Sequence, residues 1–556
     1  RNGHPGLDRE PGAGGALDPT DDAAIAKLET LFDGKTQLQP IGGEVFAGDA
    51  ALAERPAKSG LGKQTIHRSA PGEEAQAIEM LVKSLKDMEL PPYRELRVER
   101  EVKEPLVAWA GLPSIWKLSA FREGGRQDAG NILYVLDPSW YIQVTGADGK
   151  NRLHATKGVY FEKDGKQAVL VSYKHPRAVN YFGNWLTLGA FDTASGVPLE
   201  KDLDTPMSSS SRLEQVTNDK LWTRLLLASE GARVPATRAF LLADHAFLKR
   251  GDAIPQGLRV KAGRLPRSRA AVRRAVVDFL AQFTGPEVVV KPSGPRFHSG
   301  EGVAFFPRTE VEKITDYVLA LSKHDHMDSQ GVVLLEQRLA PPPIYLRLEE
   351  GYSGSGPFVY RNRQKSGVRV MEKDEISTAA PHEKKDSNER VYGVRGEKDQ
   401  PHTVSMTFFR AGTWGLPTSG QPKDPRDAAA VIPFEVMRDA WMKQHGILAT
   451  PEAVAAFMRE RQEIGERALK AIMVNETGLD RREGDPYQAQ TDMVGLDLMY
   501  QFEDGQLLPY VIEVNDHDAA GQHALDLFYP GRIGEHSRVW VNTWRARARQ
   551  DFERNP

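Results

Sequence analysis

The sequence predicts an α/β fold, and three observations carry that prediction. From residue 217 onward, apolar residues at helical spacing alternate with short Val, Ile and Leu runs that suit buried strands. The last two such runs flank Asp504-Gly505, a two-residue hairpin signal. Before residue 217 the chain is richer in strand signals and poorer in helices, which predicts a separate mixed α/β domain. With 556 residues, 40% of them hydrophobic, the chain can bury more than one core, and length alone suggests about three or four domains.

Residues 1–73 are rich in Gly, Pro and Ala and predict a loosely ordered leader, with one short helix near 21–32. In residues 74–213, Ala75, Ile78, Leu81, Val82 and Leu85 mark a helix that Pro91-Pro92 ends. Strands follow at 132–136, 141–144, 159–161 and 168–171, the last two flanking Asp164-Gly165. Pro206 and the serines after it predict a linker.

In residues 214–340, Leu221, Leu225, Leu226 and Ala228 form a helical stripe, with Thr217 or Asn218 as N-cap and Gly231 at the stop. A basic helix over 267–283, a strand at 288–290, a helix over 311–321 and a strand at 332–335 complete this part. In residues 341–556, the polar stretch 361–400 predicts hairpins and long loops. Thr450-Pro451 opens a long helix reaching about Met473, and strands fall at 493–499 and 510–514.

Composition narrows function. The 73 Lys and Arg nearly cancel the 76 Asp and Glu, which argues against a polybasic nucleic-acid or membrane-surface binder. The absence of cysteine excludes disulfides, thiolate nucleophiles and Cys-based metal sites, and fits a cytoplasmic protein. No run approaches the roughly 18 apolar residues of a spanning helix. A chain starting at Arg1 is expected to be a processed or cut form, with a lost targeting segment left open.

Chemistry is most legible in the final hairpin. Alternate strand residues share a face, so Glu513 and Asn515 point together, with Asp497 on the adjoining strand. Such an all-oxygen set suits Mg²⁺, or Mn²⁺ in its place, and not Zn²⁺. Mg²⁺ completes its shell with phosphate oxygens, which implies a nucleotide. An isolated E-x-N is usually just the solvated face of an amphipathic strand; other segments lift this one. Val288-Val289-Val290 ends at Lys291, whose ammonium can neutralise phosphate, and the following Ser293, Gly294, Gly300 and Gly302 can bring backbone N–H groups close to it. The segment lacks the GK[ST] ending of a P-loop. Glu336, ending a strand ahead of Leu339, can grip adenine through its carboxylate or carbonyl, and Lys220 in Asn218-Asp219-Lys220 adds a second cation.

Taken in order, these segments resemble an ATP-grasp domain, the fold of carboxylate–amine ligases such as D-alanine–D-alanine ligase. The phrases Thr491-Asp492-Met493-Val494-Gly495-Leu496-Asp497 and Val290-Lys291-Pro292-Ser293-Gly294 further resemble the carnosine synthase-like branch, whose members join amino acids. The resemblance implies an ATP-grasp fold with a mobile lid subdomain. It implies Lys220 and Lys291 on the ATP phosphates and a closing loop over residues 293–302. It also implies Glu336 with Leu339 at the base, and Asp497, Glu513 and Asn515 on the metal. The expected function is amide formation between a small-molecule carboxylate and an amine through an acyl phosphate. An ATP-grasp kinase and a degenerate ATP-binding protein stay as alternatives, and a homo-oligomer stays open.

Two departures matter. The ribose acid of many members is replaced by Pro343, and the arginine ahead of the first metal carboxylate by Gly495. Arg410, with Arg347 behind it, is the candidate replacement and the expected catalytic cation beside Lys291. Asp516 or Asp518 is expected either to hold an amine or to cap a helix. His324-Asp325-His326 has no further ligand at metal spacing and predicts a polar loop. Arg267, Arg269, Arg273 and Arg274 predict a solvated helix face. The Arg/Ala tail at 545–549 is expected outside the core, and Trp414 either lines a pocket or packs.

Overall fold

The computed structural model describes residues 52–555 apart from 56–62, 68–71, 112–131, 147–148, 163–164, 185–203, 208–218, 246–247, 249–258, 284, 295–296, 298–299, 349–367, 396–400, 404–406, 419–426, 428, 479–492, 516–524, 526–528 and 530–534. The predicted helix near 21–32, and Asp516 and Asp518, lie outside the described residues. Among those described, the strands form three sheets.

The first sheet holds β1 (Leu52–Arg55), β2 (Lys63–His67), β3 (Arg94–Val98), β4 (Val107–Ala110), β5 (Leu133–Val135), β6 (Tyr141–Thr145), β7 (Asn151–Phe161), β8 (Ala168–Ala178) and β9 (Tyr181–Asn184), with helix α1 (Glu73–Asp87) between β2 and β3. β1 and β2 fall inside the expected leader, yet β2 pairs antiparallel with β6. The leader therefore contributes strands, which backbone hydrogen bonds to a central strand hold without much apolar sequence.

The second sheet runs β11-β10-β14-β12-β13, built from β10 (Thr237–Leu241), β11 (Val260–Arg264), β12 (Glu287–Ser293), β13 (Ala304–Pro307) and β14 (Val332–Gln337). Helix α2 (Lys220–Ser229) precedes it, and α3 (Arg269–Leu280) and α4 (Val311–Leu321) lie between its strands. Alternation decides its two faces. Val288, Val290, Val333 and Leu335 pack on α3 and α4. Leu334 faces the other way, into the cluster that contains Leu221 and Leu225 of α2. Lys291, opposite Leu334 in the register, shares that second face.

The third sheet comprises β15 (Ile344–Leu348), β16 (Val368–Val370), β17 (Lys384–Arg395), β18 (Pro401–Thr403), β19 (Phe408–Thr413), β20 (Ala430–Pro433), β21 (Met493–Glu503) and β22 (Gln506–Asn515). Helices α5 (Phe434–His445) and α6 (Pro451–Gly478) supply Trp441, Phe457, Ala468 and Ile472 to its core. The expectation of hairpins and loops through 361–400 is corrected here. β17 is a long strand flanked by β19 and β21, with Lys385 through Arg390 all buried. The terminal β21–β22 hairpin forms as predicted, because Asp504 and Gly505 both take left-handed φ, 49° and 81°.

The tail also differs from expectation. Helix α7 (Glu535–Arg554) docks Val541, Trp544 and Ala548 into the first sheet's core, with the Trp544 and Trp109 rings 4.8 Å apart. No helix among the described residues is long and apolar enough to cross a membrane.

Candidate active site

Helix α2 begins at Lys220 because Asp219, not Thr217 or Asn218, is its N-cap. Asp219 Oδ1 accepts from the Leu221 and Trp222 amides at 2.9 and 3.2 Å. The Lys220 amide donates to Ser293 Oγ at 2.8 Å, fastening the helix to the end of β12. Ser293 is 2% exposed, so its hydroxyl serves that junction.

One helical turn separates Lys220 from Arg224, so both face the sheets together. Lys220 Nζ lies 3.2 Å from Glu513 Oε1 on β22. Arg224 donates through Nε to Glu336 Oε1 at 3.0 Å, and through Nη2 to the Ile512 carbonyl. Lys291 Nζ lies 2.5 Å from Glu336 Oε2, and the Thr237 hydroxyl, 2.9 Å from the Pro235 carbonyl, shares its one proton with Glu336 Oε1 at 3.2 Å. The α2 helix thus stitches the second sheet to the terminal hairpin. Lys220, Lys291, Glu336 and Glu513 converge as the sequence predicts.

Glu336 was expected at the base through its carboxylate or carbonyl; in the structure its carboxylate is paired with Arg224 through Oε1 and with Lys291 through Oε2. Leu339, the other expected base contact, is buried. Between them, Arg338 pairs with Glu287 and Asp386 at 2.6 and 2.7 Å and is sandwiched by Phe305 and Trp414. Trp414 is therefore a packing partner of that guanidinium.

Asp497 lies opposite Glu513 in the hairpin register and opposite Arg390 on its other side. Arg390 grips it through two nitrogens, Nε to Oδ1 at 2.6 Å and Nη2 to Oδ2 at 3.1 Å. Arg410 Nη2 adds a third bond to Oδ1 at 2.6 Å. Two arginines, from β17 and β19, therefore stand at Asp497. Arg410 was expected; Arg390 and Arg224 were missed. Arg224 had a readable signal, its spacing of four from Lys220; Arg390 had none, because its strand was unrecognised. Arg347 is elsewhere, held by Glu383 and Glu375.

Charges here are tuned by neighbours. Burial pushes Lys291 down to about 8, with Arg224 and Lys220 on the same side and Glu336 opposing. Burial raises Glu336, but Arg224 and Lys291 overcome it and hold the carboxyl down at about 2. Burial likewise raises Glu513 and Asp497; Lys220 and Lys291 reverse it for the first, Arg390 and Arg410 for the second, and both end below the usual carboxylate range.

A divalent cation can be tested against this donor set. Glu513 is partly exposed, and Asn515 donates Nδ2 to the Gly495 carbonyl at 3.5 Å, leaving Oδ1 available. Asp497 has both Oδ1 lone pairs occupied and only one position left on Oδ2. Glu513 and Asn515 fit a hard cation that keeps other oxygen ligands; Asp497 fits only as a single-oxygen contributor. Beside it, buried Asn388 and Arg410 form a cross-strand pair, and Asn388 Oδ1 and Arg410 Nε have no hydrogen-bond partner among the described residues.

In the loop after β12, Gly300 and Gly302 take φ of 81° and 67°, which only glycine adopts freely. Gly294 differs, since a Cβ there would meet nothing closer than Phe297 at 3.8 Å, so its local geometry does not demand glycine.

In kind, the chain is similar to carnosine synthases. In particular, it is 28% identical to human carnosine synthase 1 over 392 residues and 26% identical to the protein of the same name from Mus musculus, matches covering 69% of this chain. The chain spans 42% of the length of those curated relatives. Solved structures similar to it include a D-cycloserine synthetase, 14% identical with a TM-score of 0.37 over 80% of this chain and 99% of that one. The D-alanine–D-alanine ligase from Coxiella burnetii is 11% identical, with a TM-score of 0.37 over 82% of this chain and 96% of that one. No family profile matches the chain.

Proposed function

We propose that this protein is an ATP-dependent ligase that joins a small carboxylate, such as an amino acid, to the amine of a second through an acyl phosphate. The observation that carries the reading is the convergence of Lys220, Lys291, Glu513 and the Arg390–Asp497–Arg410 group on one junction between two sheets. A carboxylate is inert to amines because oxide cannot leave. Transfer of the γ-phosphoryl to a carboxylate oxygen makes phosphate the leaving group; the amine nitrogen then forms the amide bond and gives up a proton as phosphate departs.

Transfer between two anions needs fixed positive charge and little water. Lys220 and Lys291 supply that charge on the phosphate side. Arg410, with an uncommitted Nε, and Arg390 flank the acceptor side, while Asn388 Oδ1 offers an acceptor for an amine N–H. Glu513 and Asn515, with one oxygen of Asp497, would hold Mg²⁺, which supplies charge neutralisation at the phosphates. The loop over residues 293–302 acts as the lid that shields the acyl phosphate.

The test is a screen of amino-acid pairs, beginning with β-alanine and histidine, for phosphate release with mass detection of a condensed product. ADP formation requiring both substrates supports the ligase. ADP formation with one acceptor and a phosphorylated product supports a kinase instead, and overturns this reading.

A further inference from the structure

A second group of ligand-type side chains gathers where the loop after β12 meets the turn after α4. Glu301 stands between Gly300 and Gly302, whose left-handed φ values bend the chain around it. His324 and His326 lie in the turn that leads from α4 to β14. The sequence offers these histidines no third ligand; the fold brings Glu301 to them. His326 Nδ1 and Glu301 Oε1 are 2.9 Å apart, and the His326 amide donates to His324 Nδ1 at 3.2 Å. The Phe297 ring packs against both imidazoles, with centroids 5.5 and 6.0 Å away. One ligand atom from each of the three residues lies within 4.8 Å of the others.

We propose that Glu301, His324 and His326 bind a divalent transition-metal ion of the Zn²⁺ kind, and that this ion ties the loop after Lys291 to the α4–β14 turn. Two imidazoles and one carboxylate form a borderline-soft donor set. It suits Zn²⁺ or Co²⁺ and discriminates against Mg²⁺, whose ligands are oxygens. Modest side-chain rotations bring the atoms from their present spacing to the roughly 2.0–2.2 Å of Zn–N and Zn–O bonds. Three protein ligands leave a fourth position for water. Without the ion, His326 Nδ1 pairs with Glu301 and His324 Nδ1 accepts from the His326 amide. On binding, the ion replaces the first contact, and His324 ligates either through Nδ1 in place of that amide or through Nε2 once its proton has moved to Nδ1. The Phe297 ring restricts both imidazoles, so less ordering remains for the metal to impose. The assignment rests on none of the residues at the nucleotide junction, although Glu301 belongs to the loop read above as the lid.

The test uses the full, untagged chain with saturating Mg²⁺ and no nucleotide, titrated with Co²⁺ as the spectroscopic probe. Visible d–d bands should saturate at one equivalent per chain and vanish when Zn²⁺ is added. His326→Ala and Glu301→Ala, at side chains 48% and 36% exposed, should each weaken Co²⁺ binding at least about tenfold. Glu513→Gln should leave it unchanged, which separates this site from the nucleotide junction. Absence of bands at one equivalent, or binding unaltered in His324→Ala and His326→Ala, would overturn the proposal.

Discussion

Replacing Glu336 by glutamine removes one negative charge while leaving the volume of the side chain almost unchanged. In the native protein that carboxylate faces Arg224, whose side chain has no exposure, and Lys291, at 12%. Removing one member of a buried ion pair costs about 3–5 kcal/mol, because the charge left behind is neither solvated nor paired. Two features set where in that range the loss falls. Arg224 keeps the Ile512 carbonyl, and Lys291, already down at about 8, can shed its proton once Glu336 no longer attracts it. Both place the expected loss near the lower figure, about 3 kcal/mol at pH 7. The gap between wild type and Glu336→Gln should narrow toward pH 9, where native Lys291 is itself largely neutral. Urea denaturation of both proteins at the two pH values, followed by fluorescence, measures this. An unchanged transition accompanied by altered discrimination between ATP and GTP would refute the reasoning, since it would make Glu336 a reader of the base.

Further outcomes follow from the same contacts. Glu513→Gln should reduce kcat by at least about a hundredfold, in line with loss of a charge-stabilising group, while tightening metal-free ATP, because Lys220 is released; binding titrations with and without Mg²⁺ check it. The kcat/KM for ATP should fall as pH rises through about 8, when Lys291 loses its proton, and Lys291→Arg should move that fall beyond the measurable range. Over the interval from about 8 to the ordinary 10.5 the unfolded chain holds more protons at this position, so the group's contribution to stability grows with pH while activity declines; pH-dependent denaturation reads the opposite slope. Trp544→Ala, which empties a 1% exposed site against Trp109, should destabilise by about 3–5 kcal/mol, seen as a lowered thermal midpoint.

Where sequence and structure agree, the determinants are local. The β21–β22 hairpin is set by two residues that accept left-handed backbone, and α4 spans 311–321 as its apolar spacing dictates. Thr450 Oγ1 accepts from the Ala453 amide and opens α6 as predicted. Where they part, the determinants are distant. β17 carries Asp386, Glu389 and Arg390 in buried positions, so its sequence lacks the apolar alternation of a strand. Each charge is satisfied from afar: Asp386 by Arg338, 48 residues away, Glu389 by Arg461, 72 away, and Arg390 by Asp497, 107 away. No window along the chain contains those partners. The tail is a different failure, because Val541, Trp544 and Ala548 do recur at i, i+3 and i+7, and the arginines between them obscured a periodicity that was present.

The pairing at the junction also bears on how nucleotide and metal depend on each other. Both lysines expected at the phosphates already face carboxylates, Lys220 on Glu513 and Lys291 on Glu336. Metal-free ATP must therefore compete with Glu513 for Lys220 while feeling that carboxylate's repulsion. A cation drawn to Glu513 and Asn515 removes both obstacles at once, cancelling the repulsion and freeing the ammonium. Glu336 differs, since Arg224 would still pair with it if Lys291 turned to a phosphate, so the exchange would leave no buried charge unpaired. On the proposed reading, metal binding would free one lysine, and the Arg224–Glu336 pair would let the other go. By reciprocity of linked binding, whatever Mg²⁺ adds to ATP affinity through Lys220, ATP must return to Mg²⁺ affinity.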